Sequence, residues 1–148
     1  MHLSVPDTKV IRGTTYRDAG DARYAEAESL REGHPSGAIY LAGYVVECYL
    51  KWALCRRSGI QYLQDHPVGG LADRLTSGKG HILEYVAEMT GYDAHMQASP
   101  AVQRAFQVAA SWSPNLRYAK ACGGPREVTQ FLAAVRTLRE DIRRWANP

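Results

Sequence analysis

Sustained two-residue alternation of apolar and polar residues is missing from this chain. No segment shows it between hairpin turns, which leaves an all-α fold. Cysteine is scarce: Cys48, Cys55 and Cys122 are an odd number, and the first two stand seven apart on one helix face, where they cannot easily bridge. Reduced core thiols are the expectation. No C-x-x-C pair and no His/Cys cluster occurs, so neither structural zinc nor any other metal is expected. Lysine is rare too, since fourteen of the eighteen basic residues are arginine. That bias favours bidentate contacts to carboxylate or phosphate wherever a basic residue is used. The N-terminal MHLSVPDTKVIRG lacks the apolar h-region of a secretory signal, so the expected location is the cytoplasm.

Several catalytic signatures are absent as well. The GKG at Gly78–Gly80 is no phosphate loop, because the glycine required six before Lys79 is missing and Gly80 stands where Ser or Thr is required. No G-x-S-x-G nucleophile elbow occurs, and no Glu-x-x-His pair that would build a metal site in a bundle. No cofactor is expected.

What is present reads as helix. At 148 residues, 45% apolar and 22% charged, the chain has the size and composition of one domain with one core. Residues 1–13 read as an arm and 14–148 as the domain. Thr15 and Asp18 form a capping-box pattern that predicts a helix over 16–32, ended by Gly33-His34-Pro35. Ser36 is then placed to cap a long helix to Arg57. Five glycines and prolines between Ile60 and Gly80 predict an irregular connection with one short helix near 71–75. A third helix is predicted over 81–90, with Ile82, Leu83, Val86 and Met89 on its apolar face. Ser99-Pro100 starts another that ends at Ser113-Pro114. The last, over 126–146, carries Val128, Phe131, Leu132, Val135, Leu138, Ile142 and Trp145 as one stripe. A four- to five-helix bundle follows.

The run GAIYLAGYVVECYLKWAL from Gly37 to Leu54 carries two charges in eighteen residues, Glu47 and Lys51. It is long enough to approach a membrane span, but each charge would cost about 2.5 to 3.5 kcal/mol near a bilayer centre. A buried bundle helix is the cheaper solution, and no membrane partner is expected. Glu47 and Lys51 stand one helical turn apart and persist in an apolar setting only if paired, with each other or through a network such as Glu47 to Arg117. Glu47 is expected deeper than Lys51, whose stem reaches toward water.

Charge is uneven along the chain. Residues 115–148 hold seven basic and three acidic residues, +4, against a whole-chain +3. A basic last helix fits either a nucleic-acid or nucleotide phosphate partner or a solvated face. The polar residues at the edges of the apolar helices, Tyr40, Glu47, Lys51, His81, Arg117 and Tyr118, are the ones left to carry chemistry.

The run AIYLAGYVVECYLKWALCRRSG, the later GHILEYV, the WSPNLRY segment and the closing amphipathic helix resemble the HEPN family, the higher eukaryotes and prokaryotes nucleotide-binding domain, over about residues 17–145. The resemblance implies an up-and-down bundle, a homodimer, and roles in nucleotide or RNA transactions, including toxin–antitoxin pairing with a minimal nucleotidyltransferase. It implies a ligand groove at Glu47, Lys51, His81, Arg117 and Tyr118. Catalytic members are metal-independent ribonucleases with an arginine followed four to six residues later by histidine, but no histidine follows Arg117 in that range. Only Arg74 and His81, six residues intervening, match the spacing, and earlier in the chain than the family pattern. A noncatalytic nucleotide- or RNA-binding protein is therefore the leading expectation. An endoribonuclease using Arg74 and His81, and a helical interaction module, stand beside it.

Overall fold

The computed structural model describes residues 1–5 and 10–148; the part of the expected arm at 6–9 lies outside the described residues. Four long helices carry the fold: α1 (Gly13–Leu30), α2 (Pro35–Arg57), α6 (Pro100–Ala110) and α7 (Pro125–Ala146). Three short ones lie between them: α3 (Leu71–Thr76), α4 (Leu83–Thr90) and α5 (Tyr92–Met96). Strands are absent among the described residues apart from one bridge between Arg12 and Tyr62.

The long helices alternate in direction, as cross-chain contacts show. Gly13 at the start of α1 lies against Cys55 near the end of α2, and Gly20 against Tyr49. Trp112 beyond the end of α6 bonds Tyr40 near the start of α2. Ser36 at the start of α2 meets Cys122 and Gly123 just before α7, while Arg57 at the end of α2 meets Trp145 near the end of α7. The all-α bundle read from the sequence is the fold.

Helix starts are where local pattern and structure part. Thr15 and Asp18 do not form the expected box. α1 begins at Gly13, whose N–H donates to Gln61 O at 2.9 Å, and its N-cap, Arg12, offers no side-chain acceptor. Docking on α2 sets this start: a Cβ at Gly13 would stand 2.7 Å from Cys55 Cβ. Gly13, Gly20 and Ala27, seven apart, are the buried residues of α1, a small-residue seam that lets its backbone lie close on α2. Ser36 does not cap α2 either. Its Oγ accepts from Cys122 N at 3.0 Å and donates to Gly123 O at 3.3 Å, tying the start of α2 to the loop before α7. Ser99 does cap α6, accepting from Val102 N. Ile82, expected on a buried face, is the exposed residue just before α4.

The long apolar helix α2 passes a membrane test by length and hydropathy, yet 78% of that window is buried inside the fold. The stripes of α2 and α7 are covered within the chain by α1, α4 and α6. All three cysteines are free.

Three arginines on the basic face of α7 are engaged within the fold. Arg139 forms an ion pair with Asp21 of α1 at 2.7 Å, Arg143 donates to Tyr49 Oη at 2.8 Å, and Arg136 donates to Tyr24 Oη at 3.0 Å. The Tyr49 hydroxyl also donates to Asp21. Burial works to raise the Asp21 pKa, but the hydrogen bonds from Tyr49 and Arg139, with the charges of Arg139 and Arg143, outweigh it and hold the carboxyl below its ordinary value. A lowered folded-state pKa adds stability above the unfolded value, about 3.9, which is lost as pH falls through the folded one. The urea midpoint of the wild type is thus expected to exceed that of Asp21→Asn at pH 6, with the gap closing below about pH 4. A gap that is constant with pH would contradict this role for Asp21.

Candidate functional site

The site is built on one face of α2 by a close approach. Gly43 has no side chain, and the indole of Trp112 occupies the space a Cβ would take, 2.1 Å from its nearest ring atoms. Trp112 Nε1 donates to Tyr40 O at 3.0 Å, so its indole N–H is paired. This packing brings the segment after α6, including the 3-10 turn Pro114–Tyr118, over α2 and presents Arg117. A second 3-10 turn, Gly78–His81, presents His81. Its Gly80 is pressed on the end of α3 so closely that a Cβ would stand 2.1 Å from Leu75 O.

Tyr44, His81, Ile82, Asn115 and Arg117 line one cavity of about 410 Å³. Beneath it, Glu47 and Lys51 are buried, their side chains 7% and 4% exposed, with Lys51 Nζ donating to Glu47 Oε1 at 2.7 Å. Lys51 Nζ also stands 5.8 Å from the centre of the Tyr16 ring. The other side of the carboxylate faces His81: Nδ1 lies 3.0 Å from Oε2 and 3.1 Å from Oε1. An ionised carboxylate only accepts, so Nδ1 carries the proton and, in the neutral ring, Nε2 keeps its lone pair. The His81 side chain is 46% exposed, which leaves that nitrogen open to a ligand.

The expected network of Glu47 with Arg117 does not form; Lys51 and His81 take both sides of the carboxylate. Lys51 does not reach water either, because its ammonium is sealed against Glu47. Among the candidates, Glu47, Lys51 and His81 are joined directly, and Arg117 shares the cavity with His81. Tyr118 stands outside, 77% exposed, with the Arg117 guanidinium over its ring at 4.9 Å. Arg74 is exposed on α3, does not line the cavity, and makes no hydrogen bond to His81.

Two further hydroxyls tune the groove. Tyr44 donates to or accepts from Tyr40 at 3.2 Å, and its ring packs edge-on against Trp112. Burial, then the Tyr40 hydroxyl and the charge of Glu47, push the Tyr44 pKa well up, with Arg117 working in the opposite direction. The hydroxyls of Tyr118 and then Tyr40 push the Arg117 pKa further up, so that this guanidinium is a permanent cation at the rim. The arrangement offers an anion a fixed positive charge and an oriented imidazole.

No family model, curated protein or solved structure matches this chain.

One cluster is not anticipated from the sequence. Asp141, buried on α7, accepts from Tyr92 Oη at 2.7 Å and lies 3.0 Å from His95 Nε2. Its signal was an acid in register with an apolar stripe, three residues after Leu138 and directly before Ile142. This contact holds the short α5 on α7, and the ring of Trp145 covers His95 at 5.6 Å between centroids.

Proposed function

We propose that the groove over α2 binds the phosphate of a nucleotide or an RNA, with Arg117 supplying the charge and His81 a directed hydrogen-bonding partner. The observation that carries this reading is the Glu47–His81 dyad opening into the same cavity as Arg117. A carboxylate that fixes the tautomer of a half-exposed histidine organises a polar ring for a ligand, at the cost of burying charge beneath it. Lys51 neutralises Glu47 from below, so the groove presents the positive charge of Arg117 uncancelled. Tyr44 gives an aromatic edge beside it. The HEPN resemblance of the sequence points to the same ligand class and adds a homodimer and a small nucleotidyltransferase as partners. Exposed Ile82 and Tyr118, close to the groove, offer apolar contact for either.

One feature favours a second reading. In RNA cleavage Nε2 of His81 would take the proton of the ribose 2′-hydroxyl, the 2′-oxygen would attack phosphorus with Arg117 on the phosphate oxygens, and the bond to the 5′-oxygen would break. Arg117 would then hold the place assigned in sequence to Arg74. The leaving 5′-oxygen also needs a proton, and Tyr44, with its pKa pushed up, is a poor donor. Binding without turnover is thus the expected result. Total RNA incubated with the purified protein in excess chelator should stay intact. Chelator-resistant cleavage that vanishes in His81→Ala would replace the binding reading with the ribonuclease one.

A further inference from the structure

We propose that the cavity where α1 begins is a second, separate binding site for a phosphoryl group, free or carried by a nucleotide. The cavity, of about 470 Å³, lies between the start of α1, the end of α2 and the chain that leaves α2. Arg12, Thr14, Trp52, Arg56 and Gln61 line it, and no acidic residue does.

Three independent features place donors around this space. The first is the helix end. α1 has no side-chain cap and no acid in its first turn, and the N–H of Thr14 finds no acceptor among the described residues. Its N-cap is a cation, Arg12, where the helix dipole would favour an anion. An amide without an acceptor among the described residues and the dipole together make a place for one.

The second is Trp52, which is only 5% exposed and lines the cavity. Its indole N–H makes no hydrogen bond among the described residues, whereas the buried Tyr49 hydroxyl and Lys51 ammonium of α2 are both paired. Nor is it sealed, since the sealed side-chain atoms without a partner are Arg23 Nε and Glu28 Oε1. The donor belongs to a side chain that lines the cavity and is otherwise enclosed by the fold. A buried indole N–H ordinarily finds a partner; here the partner is the ligand.

The third is the pair of guanidiniums. Arg12 donates through Nε to Tyr62 Oη at 3.2 Å, and Arg56 through Nε to Asn147 Oδ1 at 2.9 Å. Each is steadied by that one bond, and neither forms an ion pair with an acid among the described residues. Their terminal nitrogens remain for a ligand, and a guanidinium fork matches phosphate oxygens. A phosphoryl group, with several acceptor oxygens and negative charge, satisfies all of these donors together. The volume lies within the range of small-molecule sites and has room for more than the phosphate itself.

This site does not rest on the groove described above. Tyr44 and Arg56 are twelve residues apart on α2, about 18 Å along the helix axis. Amide spectra of the ¹⁵N-labelled full chain, titrated with inorganic phosphate and separately with AMP at constant ionic strength, test it. The Trp52 indole resonance, identified by its loss in Trp52→Phe, and the Thr14 amide should shift and saturate. The double variant R12Q/R56Q should raise the half-saturation concentration at least tenfold, whereas Arg117→Gln should leave it unchanged. Saturation by phosphate as tight as by AMP assigns the site to the oxyanion alone, and tighter saturation by AMP assigns it to a nucleotide. Shifts that grow linearly and match those produced by chloride, or saturation unaltered in the double variant, would overturn the proposal.

Discussion

Glu47→Ala is expected to destabilise the protein by about 3 to 5 kcal/mol, the cost of stranding the other member of a buried ion pair. For a chain of this size that is a fall of about 6 to 20 °C in Tm. Lys51 has no second acceptor: its ammonium meets Glu47 at 2.7 Å and otherwise the Tyr16 ring, and its side chain is 4% exposed. Lys51→Ala should cost less. Glu47 would still accept from His81 at 3.0 Å, so the carboxylate keeps a partner, one whose side chain reaches solvent. The sequence suggests the same order for another reason, that Lys51 could extend to water; its burial removes that reason and the histidine supplies a better one. Thermal unfolding followed by circular dichroism measures both variants. Equal melting temperatures, or a larger loss for Lys51→Ala, would contradict this account of the network.

Adding one carbon at Gly43 should have a comparable effect. The Cβ of Gly43→Ala would lie 2.1 to 2.2 Å from Cγ, Cδ2 and Cε2 of Trp112, a buried and rigid ring with no free end to swing away. The indole must leave its seat and give up its bond to Tyr40 O. Overpacking costs about 1 to 3 kcal/mol, and the lost hydrogen bond adds about 0.5 to 1.5 kcal/mol. The damage reaches the groove, because Tyr44 packs on the same indole at 4.7 Å. Lower stability together with red-shifted tryptophan emission is the expected outcome. A variant with wild-type melting and emission would show that Trp112 does not sit where the structure places it.

Much of the fold is legible in the sequence, because long amphipathic helices announce themselves by periodicity. The α7 stripe and the Ser99 cap of α6 are local signals that packing leaves in place. Helix starts are less legible where tertiary contacts compete for the capping residue. Ser36 ties two elements together instead of capping, and α1 starts early because Gly13 fits against Cys55. The five-residue α5 has too little periodicity to be seen and is held by Asp141 from 46 residues away.

The site divides along the same line. Glu47 and Lys51 lie one turn apart on one helix, so their pairing follows from spacing. The partnership of Glu47 with His81 spans 34 residues, and no local pattern encodes it. Arg74 is near His81 in sequence, yet the turn at Gly80 leaves the two without a hydrogen bond. The basic character of α7 is likewise plain in the sequence, but only the structure shows Asp21 and two tyrosines receiving its arginines.

The proposed function requires Arg117, beside His81, to receive the phosphate. The most direct test is the salt dependence of binding to a fluorescently labelled single-stranded RNA, measured by anisotropy for the wild type, Arg117→Ala and Arg74→Ala. Removing one phosphate contact on a single strand should lower the slope of log K against log salt by about 0.7. Arg117→Ala is predicted to bind more weakly with that shallower slope, and Arg74→Ala to match the wild type in both. A wild-type slope and affinity in Arg117→Ala, with the loss appearing instead in Arg74→Ala, would contradict the account.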